Sequence, residues 1–273
     1  MPRQQKSIIA ELPQPEQFDS ARILKSYADG ETDLICVLGP TASGKTKYAV
    51  RLAEELKAEG AKGVEIISAD SRQIFRGMDI GTGKDLCEYG DIPYHLIDIL
   101  PAGAHYNVFE FQKDFLKAYN DIRSRGCVPI LCGGTGLYIN AVTAGYDFNG
   151  THPLSASREG LEPSEDGPRS TFFIGTLVSR EVRNARIDAR LDARLQEGMV
   201  EEIKGLLDSG VPAQTLISYG LEYKFVTQYV LGEISFDQMR TLLGTAIHQF
   251  AKRQMTWFRG MERSGVRIHW VEV

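Results

Sequence analysis

The clearest structural signal in this 273-residue chain is Leu34-Ile-Cys-Val-Leu38, followed by Gly39-Pro-Thr-Ala-Ser-Gly-Lys45-Thr46. Its first five residues are apolar, as in a strand buried in a parallel sheet. The next eight match G-x-x-x-x-G-K-[ST], a phosphate-binding loop that connects a strand to a helix. Apolar residues then recur at helical spacing until Gly60. Strand, glycine loop and helix therefore form the first structural unit.

Further apolar runs extend this pattern along the chain. They predict strands over Val64–Ala69, Tyr94–Leu100, Val128–Cys132 and Thr171–Val178. Asn107 can cap a helix that ends near Gly126, just before the strand Val128–Cys132. Alternating strands and helices predict an α/β fold of the P-loop NTPase type, with helices flanking a parallel sheet.

Composition divides the chain into three parts. Residues 1–30 carry Pro13 and Pro15 and then a weakly amphipathic stretch, and are interpreted as a lead-in segment. Residues 31–273 are predicted to form one P-loop domain that ends in a helical region over 180–262. Residues 149–170 contain three Gly, three Pro and four Ser, which is typical of a flexible linker interrupting that domain. Ser179 can cap a long helix that ends near Gly210.

Composition also limits location and partners. Apolar runs are strand-sized, far below the roughly 20 residues of a membrane span, and no apolar signal segment follows the N-terminus. We expect a cytoplasmic protein with reduced thiols, since its four cysteines include no C-x-x-C pair. The net charge is -5, yet residues from Arg180 onward carry 13 Lys and Arg against 12 Asp and Glu. Any RNA contact should lie in that C-terminal third.

The loop indicates a diphosphate or triphosphate ligand without indicating the reaction. Its backbone N–H groups can surround phosphate oxygens, while Lys45 adds a positive charge and Thr46 can ligate Mg²⁺. Asp70 follows the second strand, at the sheet edge where ligands bind. It could bind a metal, perform acid–base chemistry or cap a turn. The basic glycine-rich segment Gly77–Lys84 is weak evidence by itself.

Several motifs occur in one order and carry a family resemblance. They are GPTASGKT, ISADSRQIFRGMDIGTGK, PYHLIDI, PILCGGTGLYINAV, RIDARLDARLQEGMVEEIKGLL and AKRQMTWFRG. The chain resembles the tRNA dimethylallyltransferase family over about residues 33–145 and 172–271. The resemblance implies Mg²⁺-dependent transfer of a dimethylallyl group from dimethylallyl diphosphate to N6 of the tRNA adenine 3′ of the anticodon.

The resemblance also implies roles for individual residues. Asp70 would be the general base, with Thr41 and Arg190 as the other catalytic residues and Thr46 as the metal ligand. The diphosphate would be bound by Gly39, Pro40, Thr41, Ala42, Ser43, Gly44, Lys45 and Thr46. The tRNA and its adenine would be bound by Asp70, Ser71, Arg72, Gln73, Thr135, Lys252, Arg253, Gln254 and Arg259.

The C-terminal segment allows two interpretations. Its interleaved cations and aromatics can contact phosphates and stack on an unpaired base. A helix with Phe250, Trp257 and Phe258 is more often core packing, and only the resemblance favours an RNA role for Lys252, Arg253 and Arg259.

The chain departs from the family where the acceptor would be gripped. A helical insertion that usually follows GGTGLY is replaced by the linker 149–170. Only Tyr223 and Lys224 fit the R-x-V-G-Y-[RK] element, and His248 replaces a usual arginine. Three hypotheses remain: a tRNA prenyltransferase, expected to be monomeric; an isopentenyltransferase acting on free AMP, ADP or ATP; and a P-loop kinase or idle nucleotide-binding module.

Overall fold

The computed structural model describes residues 13–144 and 167–273, and it has a parallel sheet with helices on both faces. The strands are β1 Leu34–Leu38, β2 Val64–Ser68, β3 Phe75–Arg76, β4 Tyr94–His95, β5 Leu100–Pro101, β6 Val128–Gly133, β7 Thr171–Leu177 and β8 Ile268–Glu272. Six of them form one sheet in the order β4-β2-β6-β1-β7-β8, while β3 pairs with β5. Every pairing is parallel, which confirms the predicted fold class.

The helices are α1 Ser20–Ala28, α2 Lys45–Ala58, α3 Val108–Ser124, α4 Gly136–Thr143, α5 Arg180–Gln196, α6 Met199–Asp208, α7 Ala213–Ser218, α8 Leu221–Val230 and α9 Phe236–Arg263. Asn107 caps α3 as predicted, and the Glu110 carboxylate accepts the backbone N–H of Asn107 to complete a capping box. Ser179 caps α5 through the N–H of Val182. These side chains satisfy N–H groups that a helix start leaves unpaired.

Two apolar cores lie on opposite faces of the sheet. One packs α2 and Ile23 of α1 against Ile35, Val37 and Ile66. The other includes side chains of α3, α4 and the C-terminal helices. All five residues of β1 are buried, as their unbroken apolar run predicted. The central strand is therefore fixed from both sides, and the phosphate-binding loop begins at its end.

The structure corrects several predicted boundaries. The predicted strand Tyr94–Leu100 is two short strands, because Leu96 and Asp98 have φ angles of 61° and 56° and interrupt the extended backbone. The predicted helix from Ser179 toward Gly210 is two helices, α5 and α6. Gly198 stands between them with a φ of 105°, outside the right-handed helical region.

Other elements were not predicted. They are α1 within the lead-in segment, the short strand β3, the helix α4 after β6, the short helix α7 and the final strand β8. Most of the predicted linker lies outside the described residues. Its end, at Ser170, accepts hydrogen bonds from Asp33 and Leu34 and leads into β7. No described helix has the length and hydropathy needed to cross a membrane.

Candidate active site

The phosphate-binding loop joins β1 to α2 and has a constrained backbone. Ala42 and Gly44 have φ angles of 60° and 79°, which place both in the left-handed region. A Cβ on Gly39 would clash with Thr176, a residue of the neighbouring strand β7. The hydroxyls of Ser43 and Thr176 lie 2.6 Å apart within hydrogen-bond distance. The loop is thus shaped by a strand that follows it by more than 130 residues.

A cavity of about 580 Å³ opens in front of this loop. Lys45 and Thr46, the first residues of α2, line it together with Asp70 and Arg190. Burial lowers the pKa of the Lys45 ammonium, although the nearby Asp70 carboxylate opposes that shift. An anionic ligand in the cavity would meet the N-terminus of α2 and a partly desolvated lysine.

Asp70 lies just beyond the carboxyl end of β2, as its position in the sequence predicted. Its Oδ1 accepts the backbone N–H of Arg72 at 3.0 Å, and its own N–H donates to Ser68 Oγ at 3.3 Å. This Asx-type contact orients the carboxylate toward the cavity that it lines. The turn hydrogen bond uses only Oδ1 of Asp70, so capping the turn does not prevent a chemical role for the other carboxylate oxygen.

The segments around Asp70 and Thr135 meet at the ends of β2 and β6. The backbone N–H of Ser71 donates to Thr135 Oγ1 at 3.3 Å, and the Thr135 N–H donates to the Ala69 carbonyl at 3.3 Å. Gly133 permits this approach, since a Cβ there would clash with the Ala69 backbone. Gln73 accepts from Ser68 Oγ at 3.1 Å and lines the cavity.

Arg190 approaches the cavity from α5. Its Nη2 donates to the Gly83 carbonyl at 3.3 Å and lies 3.4 Å from Asp85 Oδ2. Gly83 has a φ of 64°, and a Cβ there would clash with the Arg190 guanidinium. Arg186 and Arg194, from the same helix, also line the cavity, and Arg194 forms an ion pair with Asp85. The three arginines lie four residues apart along α5, so their side chains reach one site.

The glycine-rich segment after β3 is held by Glu202 of α6. The Glu202 carboxylate accepts three successive backbone N–H groups, from Asp79, Ile80 and Gly81, at 2.7 to 3.0 Å. It also accepts the Tyr223 hydroxyl at 2.7 Å. These N–H groups, which could have bound a phosphate, are therefore already paired with a protein carboxylate.

Lys84 of the same segment is also fully engaged. Its side chain is buried, and its ammonium donates to the Phe75 carbonyl and pairs with Asp79 and Asp98. The cation that made this segment look basic serves to hold the segment together.

Gln254 has a different environment from the RNA-binding surface to which the resemblance assigned it. It is buried on α9, where its Oε1 accepts the backbone N–H of Thr41 at 2.8 Å and its Nε2 donates to the Gly134 carbonyl at 2.9 Å. Both ends of this amide therefore connect the phosphate-binding loop to the GGTG turn.

The three predicted RNA-binding cations on α9 differ in their surroundings. Lys252 and Arg253 are exposed, and the Arg253 guanidinium lies 6.0 Å from the Phe250 ring centroid. Arg259 is less exposed and pairs with Glu262 at 2.8 Å. Trp257 packs against Gly136, where a Cβ would clash with the indole, so part of this aromatic set serves packing.

Sequence inspection gave no role to Thr176, Asp85, Glu202 or Glu222, which the structure places around the site. Each contacts a segment far away in the chain. No spacing pattern marks such partners, and only the shared sheet edge and the C-terminal helices bring them together.

The fold and the site define an α/β P-loop protein that can hold a diphosphate group beside a carboxylate at the carboxyl edge of a parallel sheet. Comparisons with known proteins narrow this class. The model of the IPP transferase family matches residues 73–167 and 149–261. A tRNA dimethylallyltransferase 1 from Porphyromonas gingivalis is 49% identical, over 88% of this chain and 93% of that protein. Its counterpart from Parabacteroides distasonis is 46% identical, over 91% and 94%.

Solved structures agree with these sequence matches. The tRNA isopentenylpyrophosphate transferase from Bacillus halodurans has a TM-score of 0.74 at 29% identity, over 88% of this chain and 89% of that one. A tRNA delta(2)-isopentenylpyrophosphate transferase from Staphylococcus epidermidis has a TM-score of 0.72 at 31% identity, over 88% and 92%. The chain belongs to the tRNA dimethylallyltransferase family, a family of tRNA-modifying transferases.

Proposed function

We propose that this enzyme transfers the dimethylallyl group of dimethylallyl diphosphate to N6 of a tRNA adenine, the one 3′ of the anticodon, with Asp70 as general base. The observation that carries the proposal is that the phosphate-binding loop, Asp70 and Arg190 line one cavity. Such a cavity can hold a departing diphosphate and a proton acceptor on two sides of a reacting carbon. The expected cytoplasmic location and monomeric state belong to the same proposal.

The diphosphate is the leaving group in this reaction. As its bond to the allylic carbon breaks, the oxygen that joined this carbon to phosphorus gains negative charge. Lys45 and Arg190 line the cavity, and their cationic groups, with backbone N–H groups of the loop, would stabilise that charge. The backbone N–H of Thr41 donates to the Gln254 side chain, so the main chain of the loop is held at Thr41 before the donor binds.

Thr46 is the proposed protein ligand of Mg²⁺. Among the described residues, no three His, Cys, Asp or Glu side chains form a metal cluster. A magnesium ion held by one hydroxyl, diphosphate oxygens and water does not require such a cluster, so the residues present fit that ion. Bound there, Mg²⁺ would neutralise charge on the diphosphate.

The adenine amine attacks the allylic carbon from the side of Asp70. The bond from N6 to carbon forms, the bond from carbon to diphosphate oxygen breaks, and the N6 proton moves to the Asp70 carboxylate. The amine becomes acidic only as the new bond forms, which is why a positioned base is needed. Arg72 donates its N–H to this carboxylate and Gln73 lines the same cavity, while Ser71 and Thr135 contact each other at the same sheet edge. Together these four residues would define the adenine side of the site.

Mass spectrometry of tRNA incubated with enzyme, Mg²⁺ and dimethylallyl diphosphate tests the proposal. We expect dimethylallyl adenine with the unaltered enzyme, and a rate reduced about 10²-fold or more with Asp70→Asn. Affinity for a diphosphate analogue should be retained, since the substitution leaves the loop intact. Asp208→Asn, which neutralises an exposed carboxylate, is the matched control. Near-normal turnover by Asp70→Asn would remove Asp70 from this role.

A free adenine nucleotide is the second candidate acceptor. It is favoured by the linker that replaces the usual insertion, and the family match itself divides near that linker, into residues 73–167 and 149–261. Direct competition between tRNA and adenosine monophosphate at equal concentration distinguishes the two. Faster modification of the nucleotide would overturn the tRNA proposal and leave prenyl transfer standing.

A further inference from the structure

Arg72 lies between two carboxylates from separate parts of the fold. Its Nη1 forms an ion pair with Glu222, the second residue of α8, and its Nε lies 3.9 Å from Asp70 Oδ1. The guanidinium also stacks 5.6 Å from the centroid of Phe250 on α9. With 16% exposure for Arg72 and 14% for Glu222, this pair is largely shielded from water.

The geometry divides the interactions of Arg72 unequally. Its main-chain N–H holds Asp70 at 3.0 Å, whereas its guanidinium pairs with Glu222 and stays beyond hydrogen-bond distance from Asp70. Asp70 therefore keeps an oxygen free of the guanidinium, whereas a bidentate arginine pair would engage both of its carboxylate oxygens. Glu222 lines the same cavity and belongs to the segment where this chain departs from its family's usual pattern.

Other titratable groups also lie around Asp70. Lys45 and Arg190, from α2 and α5, are further cations of the same cavity. Burial raises the pKa of Cys132 and of Tyr138 to about 12 each, so both remain neutral near pH 7. Burial raises the pKa of Tyr89 as well. Glu222 is thus the second carboxylate that shares Arg72 with Asp70.

We propose that Glu222 is a positioning residue: it retains the Arg72 guanidinium, so that Asp70 remains available to accept the adenine proton. The inference rests on the proposed function, in which Asp70 is the base. Without the Glu222 charge, the guanidinium would turn from Glu222 to Asp70 and pair with the reacting carboxylate. Such a pair both obstructs the proton acceptor and favours its ionised, less basic state.

The test compares Glu222→Gln with the unaltered enzyme in tRNA prenylation between about pH 3 and 8, a window that includes the ordinary aspartate pKa of about 3.9. We expect kcat to fall about 10-fold, because a positioned base contributes a factor of about 10² to 10⁴ and would be partly lost. The KM for dimethylallyl diphosphate should change less than about twofold. The low-pH limb of kcat/KM should move to lower pH, by about one unit. Glu233→Gln, the same change at an exposed site, should leave all three unchanged.

Arg72→Gln and the double variant Arg72→Gln/Glu222→Gln complete the experiment. The single Arg72 variant should move the low-pH limb to higher pH, because Glu222 then faces Asp70 without a cation between them. The double variant should turn over faster than Glu222→Gln, and if that single variant proves too unstable to assay, the shift of the low-pH limb in Arg72→Gln is the deciding result. An unmoved limb in Glu222→Gln, or a double variant no faster than it, would overturn the inference. An unaltered enzyme that prenylates no tRNA would instead refute the proposed function.

Discussion

Replacing Gln254 with alanine should damage the donor site from a distance. The change removes two buried hydrogen bonds, of 2.8 Å from the Thr41 N–H and 2.9 Å to the Gly134 carbonyl. A buried polar group left without its partner costs about 1 to 3 kcal/mol, so the two together should lower the free energy of unfolding by about 3 kcal/mol. For a chain of this size that corresponds to a melting temperature lower by roughly 6 to 12 °C.

The functional consequence concerns dimethylallyl diphosphate more than tRNA. Once Thr41 is released, the loop would present its N–H groups in several arrangements, and we expect the Kd of a non-reactive donor analogue to rise about 10-fold. Titration of the analogue and a thermal melt measure the two effects. Gln249→Ala, at an exposed glutamine of the same helix, is the control. Unchanged melting and analogue affinity, with a raised KM for tRNA alone, would refute the reasoning and return Gln254 to the acceptor surface.

Three further outcomes test the proposed roles. Arg190→Ala should raise the KM for the donor and lower kcat, as one cation stabilises bound and departing diphosphate alike, and an effect on tRNA affinity alone would contradict this. Replacing Lys252, Arg253 and Arg259 together with alanine should slow tRNA prenylation and flatten its salt dependence, with donor-analogue affinity nearly unchanged; normal tRNA modification would contradict it. Because burial lowers the pKa of Lys45, its ammonium should lose its proton below the usual value of about 10.4. Donor-analogue affinity in the free enzyme should therefore be highest near neutral pH and fall before the pH reaches that usual value, whereas constant affinity over the same range would exclude Lys45 as the controlling group.

The parts of the fold that sequence predicted well are those with unambiguous local signals. The all-apolar run of β1, the glycine loop after it and the Asn107 cap each depend on neighbouring residues alone. The prediction of one strand over Tyr94–Leu100 was wrong. The segment is apolar enough for a strand, but composition does not show that Leu96 and Asp98 adopt positive φ angles. Gly198 carried a usable signal for the break between α5 and α6, which the continuous apolar stripe of the two helices obscured.

The site was predictable only as far as single motifs extend. The position of Asp70 beside the loop follows from the rule that ligands bind at the carboxyl edge of parallel strands. The partners that orient those motifs are separated from them by long stretches of chain: Gln254 follows Thr41 by 213 residues, and Arg72 precedes Glu222 by 150. Pairings of that kind depend on how α8 and α9 pack, and neither periodicity nor spacing encodes them.

The hydrogen bonds of Glu202 affect how the cavity binds its substrate. Its carboxylate already fills the cradle of N–H groups over residues 79–81, so this wall of the cavity carries its own anion and does not wait for a ligand to fold it. The conformational entropy of ordering that segment is lost when the chain folds, and none of it is subtracted from the free energy of substrate binding. A wall prepared in this way favours rapid capture of the donor in a single step over slow closure around it, since no rearrangement of this segment must precede the encounter.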